Sequence, residues 1–151
     1  MFFLELVLIG TTLLCRGLGL LGLTFFTAWQ NCTSVAFALM LVMTATTHFT
    51  ATRYELTRMV PSFLPFPQAL VTLTGIFEFL GAFGLLFPLT RNITGWCLIL
   101  LLLVMFPANV KAAREQLPLR GKTATPLWLR IPMQLLIIGY ALIAALPVFN
   151  P

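Results

Sequence analysis

The chain has 151 residues, of which 60% are hydrophobic and 9% charged, with a net charge of +5 and a mean hydropathy of +1.00. A soluble domain carries about 25% charged residues, so a water-soluble fold is excluded. At roughly 20 apolar residues per helical crossing, the length accommodates about four or five crossings in one compact bundle.

The apolar runs are long and continuous rather than short and alternating, the pattern of membrane helices and not of a β-barrel. The expected fold is all-α: a polytopic transmembrane helical bundle with a four-helix core in residues 32–151 and one extra N-terminal hydrophobic helix in residues 1–31. The first run, 2–28, opens without the basic segment and small-residue cleavage site of a secretory signal and is read as part of the mature protein. It is interrupted by Glu5 and Arg16, and by Gly17, Gly19 and Gly22, which weaken a helix and can break it. Whether it crosses is left open. Four stronger runs follow at 32–49, 67–87, 93–110 and 128–146. Pro67 suits a first helical turn, Pro88 follows the second strong run and Pro147 closes the last. Pro107 instead lies inside a run, where it frees the carbonyl of Leu103 and predicts a kink near one membrane face.

The basic residues are dispersed in short inter-helix segments, with no basic face or RNA-binding motif, so nucleic acid is not an expected partner. If all five runs cross, Arg53, Arg58, Lys111, Arg114, Arg120, Lys122 and Arg130 share one side and only Arg91 falls in a loop on the other. Short cytoplasmic loops are rich in Lys and Arg. Segments 50–66 and 111–130 are therefore expected in the cytoplasm, with the N-terminus inside; without the first crossing, both termini lie outside.

Four polar residues are candidate ligand groups. Glu78 falls near mid-bilayer, where a lone carboxylate is costly and must find a partner or a proton. Its neighbours three and four residues away, Thr74, Gly75, Gly81 and Ala82, are small, so this face can approach another helix. A packing hydrogen bond alone would also account for it. His48, the only histidine, ends its run with Thr44 and Thr52 one turn away on the same face. Asn109 and Gln134 fall at similar depth, just after Pro107 and Pro132, so His48, Asn109 and Gln134 either line a small pocket with Glu78 or satisfy backbone groups loosened by the prolines. Arg16 either snorkels to an interface or pairs with Glu78, and Arg130 borders the second basic loop as a structural or ion-pair candidate.

One histidine and three separated cysteines, Cys15, Cys32 and Cys97, offer no usual ligand set for haem, an iron–sulfur cluster or zinc. No metal site and no cofactor held by this chain alone is expected, although a quinone or lipid remains a candidate ligand. Asn31-Cys32-Thr33 and Asn92-Ile93-Thr94 match the glycosylation pattern but lie against the membrane and are read as chance matches. No Walker loop, GxGxxG, GxSxG or HExxH occurs.

Taken in order, His48-Phe49, Arg58-Met59-Val60-Pro61, Leu64-Pro65, Thr74-Gly75, Glu78, Leu85-Leu86-Phe87-Pro88, Thr90-Arg91, Phe106-Pro107-Ala108-Asn109 and Leu129-Arg130-Ile131-Pro132-Met133-Gln134 resemble the DoxX-like family of small bacterial membrane proteins. The resemblance covers residues 48–146. It implies a four-helix core, with the residues before Cys32 as an addition, in a bacterial cytoplasmic membrane. That family is named for association with a thiosulfate:quinone oxidoreductase, and its members look like membrane partners of redox or sulfur-transfer enzymes. The expected function is accordingly a non-catalytic subunit or anchor of a larger membrane redox or energy-transducing complex, with membrane lipids and other redox proteins as partners. The alternative is a binder or enzyme for a small lipophile such as a quinone; a proton or solute transporter is the least favoured reading, for want of an inverted repeat.

Overall fold

The computed structural model describes residues 2–119 and 121–146, and it is an all-α bundle. Helix α1 (Phe2–Leu20) leads through a short 3₁₀ turn, Thr24–Thr27, into α2 (Trp29–Thr47). Helix α3 (Arg53–Met59) is a short connector to α4 (Pro67–Leu86), which is followed at once by α5 (Pro88–Arg114). A two-residue antiparallel ladder, β1 (Pro118–Leu119) with β2 (Lys122–Thr123), precedes α6 (Leu127–Ala145). Arg120 and Pro147 lie outside the described residues.

Proline chemistry sets two of the helix starts. Pro67 and Pro88 occupy first-turn positions, where the missing N–H has no intrahelical partner to lose. Phe87 is both the C-terminal cap of α4 and the N-terminal cap of α5, so the chain reverses across one extended residue. Pro107 lies inside α5, which nevertheless continues as one 27-residue helix to Arg114.

Helices α1, α4, α5 and α6 are long and apolar enough to cross a membrane. The protein is an integral membrane protein, and these helices turn large apolar side chains outward, among them Leu13, Phe77, Leu80, Trp96, Leu100 and Leu135. In water such surfaces would aggregate; in lipid they are solvated.

The structure shows where the first run breaks and corrects the reading of the second. The run 2–28 is not broken at Gly17 or Gly19, because α1 continues to Leu20 and the chain turns at Gly22, whose φ of 105° suits glycine alone. The run 32–49, read as strongly apolar, is α2, which falls outside the four apolar helices because Gln30, Asn31, Thr33, Ser34, Thr44, Thr46 and Thr47 lower its hydropathy. It is the centre of the bundle. Nineteen residues rising about 1.5 Å each give roughly 28 Å, close to the thickness of the hydrocarbon layer. Helices α1, α4 and α6 pack around it, so Gln30, Thr33 and Ser34 are buried against protein instead of lipid.

Lipid removes most of the hydrophobic drive between helices, leaving close packing and buried hydrogen bonds to hold the bundle. Phe37, fully buried on α2, meets Tyr140 of α6 edge-on at 6.5 Å between ring centres. Around it lie Ala36, Ala38, Leu41, Ala82, Leu85, Leu98, Ala141 and Ala144. Gln30 Nε2 donates to the carbonyls of Ile143 and Ala144, tying α2 to α6. Thr12 and Tyr140 share a hydroxyl–hydroxyl bond of 3.0 Å, which joins α1 to the same core.

Candidate functional site

Glu78 lies a little past the middle of α4 and is only 7% exposed. The small residues around it divide between two neighbours. A Cβ added at Gly75 would stand 2.6 Å from His48 Cβ and 3.0 Å from Phe49 Cε2, whereas one added at Gly81 would meet Leu98 of α5. Helix α4 is thus wedged between α2 and α5, with Glu78 on the side of His48.

His48 caps the C-terminus of α2 and is 5% exposed. Its Nδ1 lies 2.7 Å from the Val71 carbonyl and 3.2 Å from Thr74 Oγ1, while the Thr74 hydroxyl itself donates to Val71. A carbonyl can only accept, so Nδ1 carries a hydrogen and the tautomer is assigned by its partner. The other nitrogen, Nε2, faces Glu78 Oε1 at 3.6 Å, an ion-pair separation too long for a direct hydrogen bond. The second carboxyl oxygen, Oε2, is buried and has no hydrogen-bond partner. Phe49, next to His48 in the chain, meets Phe79 of α4 at 5.9 Å between ring centres, with the ring planes tilted by 33°.

The sequence expectation of four polar groups around one pocket divides into two clusters. His48 and Glu78 meet between α2 and α4, with Thr74 and Val71 as unforeseen partners; neither Thr44 nor Thr52 takes part in the bonds of His48. Asn109 and Gln134 belong with Arg130 between α5 and α6. Arg130, 3% exposed, donates through Nε to the Thr125 carbonyl and through Nη1 to Asn109 Oδ1 at 2.9 Å. Gln134 Nε2 donates to the Leu102 carbonyl, next to Leu103, the residue whose carbonyl Pro107 deprives of a partner. Neither Asn109 nor Gln134 is bonded to the carbonyl that Pro107 frees; both instead tie α5 to α6.

Arg16 does not meet Glu78. Its guanidinium donates to the Thr27 carbonyl and sits 4.8 Å from the centre of the Trp29 ring, fastening α1 to the start of α2. At that same end is a buried cation. Arg91, 3% exposed, donates to the Leu85 carbonyl and to Asn31 Oδ1 at 2.8 Å, and Asn31 in turn donates to Phe25. Asn31 is thereby committed to structure. Among the described residues, no group of three His, Cys, Asp or Glu side chains is placed to hold a metal ion together.

A family model described as a domain of unknown function, DUF8561, matches residues 37–145, from the middle of α2 to the last residue of α6. The chain belongs to this family. No curated protein and no solved structure matches it. The matched segment contains both polar clusters and omits α1, so the DUF8561 unit supplies His48, Glu78, Asn109, Arg130 and Gln134 but not Arg16.

Proposed function

We propose that this protein binds a small lipophile of the quinone class, with the His48–Glu78 pair holding the polar end of the ligand. The observation that carries the reading is Glu78 Oε2, a buried carboxyl oxygen without a partner beside an imidazole nitrogen. A buried polar atom left unsatisfied costs about 1–3 kcal/mol, and more when charged. Ionisable groups at membrane depth are concentrated at functional sites for that reason. A carboxyl also suits both redox forms of such a ligand, donating to a quinone carbonyl when protonated and accepting from a quinol hydroxyl when ionised. The resemblance to DoxX-like proteins points to the same class of ligand.

The test is purification in mild detergent from native membranes, then solvent extraction and mass spectrometry. Wild-type protein retains a quinone at near-stoichiometric amount, and Glu78→Leu loses it while the fold persists by circular dichroism. Equal quinone in both proteins, or none in either, overturns the proposal.

A second observation favours the anchor reading, a non-catalytic subunit of a larger membrane redox or energy-transducing complex. Lys111 Nζ donates to the carbonyls of Arg58 and Val60, fastening α3 to the end of α5 and forming one cap that presents Arg58 and Arg114. In this reading the cap, in the bacterial cytoplasm by the basic-loop rule, receives a redox protein. Cross-linking in membranes, with recovery of one partner at fixed stoichiometry, tests it. The transporter reading gains nothing from α2: its polar ends, Gln30 with Ser34 and Thr44 with His48, are separated on the buried face by Phe37 and Leu41.

A further inference from the structure

A cleft of about 310 Å³ opens where α2 ends, lined by Phe49 and Thr50 of the turn, Arg53, Tyr54 and Thr57 of α3, and Gln68 of α4. It lies at the membrane boundary, between the last residue of α2 and the first turn of α4. We propose that it is a phosphate site and that the phosphate belongs to a membrane phospholipid.

Arg53 is the only charged side chain among the described lining residues. Its Nη2 donates to Thr72 Oγ1 at 2.9 Å and to the Gln68 carbonyl at 3.4 Å, which fixes the guanidinium plane against α4. Nε and Nη1 take no part in those bonds, and they point to different sides of the guanidinium, so each can give a single charge-assisted hydrogen bond to a phosphate oxygen. Tyr54 and Gln68 add hydroxyl and amide donors around the same space, whereas the Thr50 hydroxyl is already donated to the Thr47 carbonyl. Phe49, half exposed, and Tyr54 provide an apolar wall of the kind that lies along an acyl chain near a headgroup. A diester phosphate anchored by two chains is already concentrated at this depth, which selects the lipid over a phosphate in solution. The site shares no hydrogen bond with the His48–Glu78 pair, so it stands or falls independently of the lipophile reading.

The experiment is native mass spectrometry of the full chain in micelles doped with phosphatidylglycerol, phosphatidylcholine or diacylglycerol, each with and without inorganic phosphate. Wild-type protein retains one phosphatidylglycerol or phosphatidylcholine in preference to diacylglycerol. Arg53→Gln lowers retention about tenfold and Arg53→Lys less, because lysine keeps the positive charge. Should Arg53→Gln lose the fold, Tyr54→Phe removes a donor without touching the Arg53–α4 bonds and still lowers retention. Displacement of the lipid by millimolar inorganic phosphate would keep the phosphate site and assign its source to solution. Equal retention of all three lipids, or wild-type retention in every variant, would mean annular lipid only and overturn the proposal.

Discussion

Glycine-to-alanine changes probe the helix packing most sharply, because the same added methyl meets four different surroundings. At Gly95 the new Cβ would stand 2.7 Å from the Ala145 backbone nitrogen and 2.8 Å from the Ala141 carbonyl oxygen, atoms that move only with α6 itself. Unstrained carbon contacts lie at roughly 3.5–4.0 Å, so α5 and α6 must part by about 1 Å. Overpacking of this kind costs about 1–3 kcal/mol, against a gain of roughly 0.5–1 kcal/mol from replacing a helical glycine. Gly75→Ala meets His48 Cβ at 2.6 Å and displaces the imidazole from Glu78 as well. Gly81→Ala meets the tip of Leu98, which can change rotamer, and its net cost stays under about 1 kcal/mol. Gly10→Ala meets nothing within 4 Å and is neutral or stabilising. Thermal melts in detergent should rank Gly10→Ala at or above wild type, then Gly81→Ala, then Gly75→Ala and Gly95→Ala, with about 2–4 °C for each kcal/mol. Gly95→Ala melting with Gly10→Ala would refute the close approach of α5 and α6.

Glu78→Gln keeps shape and hydrogen-bonding capacity, so its melt should stay near wild type, whereas Glu78→Leu leaves the buried His48 Nε2 facing an apolar side chain and should fall by about 1–3 kcal/mol. If Leu is as stable as Gln, the pair contributes nothing to the fold. Arg91→Leu strips the Leu85 carbonyl and Asn31 of their donor and should cost a similar amount, with partial recovery in Arg91→Lys, measured by chemical denaturation in mixed micelles. Unchanged stability in Arg91→Leu would mean that water satisfies those groups. Cysteine at exposed Arg114 should react with an impermeant maleimide only from the cytoplasmic side, and cysteine at Leu89 only from the opposite side. Reversed labelling would invert the proposed orientation.

Much of the architecture is legible in one dimension because hydropathy is a property of segments. It separates crossing helices from connections, and the all-α class follows. Hydropathy does not tell a helix that faces lipid from one that faces protein. The run 32–49 therefore reads as an ordinary span, although Gln30, Thr33 and Ser34 mark α2 as the buried centre. Glycines are similarly ambiguous: Gly17 and Gly19 sit within α1, and Gly19 allows the backbone near Phe26 to pass close by.

The site divides along the same line. That Glu78 turns inward could be read from Gly75, Gly81 and Ala82, since helical spacing places them on its face. Its partner could not, because the partners of His48 lie 23 and 26 residues away in sequence, across a helix–helix interface. Equal depth also misled for Asn109 and Gln134: residues at one level of a bundle can point in different directions around it, and only tertiary packing shows that these two serve the α5–α6 seam.

Because His48 is the only histidine, ¹⁵N-histidine labelling gives the signals of this one side chain, in the full-length protein reconstituted in lipid nanodiscs. The proposed function predicts a protonated Nδ1 throughout, held by the Val71 carbonyl, and an Nε2 resonance that shifts when the bilayer is doped with a short-chain quinone but not with added phospholipid. Glu78→Leu should abolish that response and leave the Nδ1 signal in place. A deprotonated Nδ1, or an Nε2 signal indifferent to the quinone, would contradict the assignment of the His48–Glu78 pair as the group that holds a lipophile.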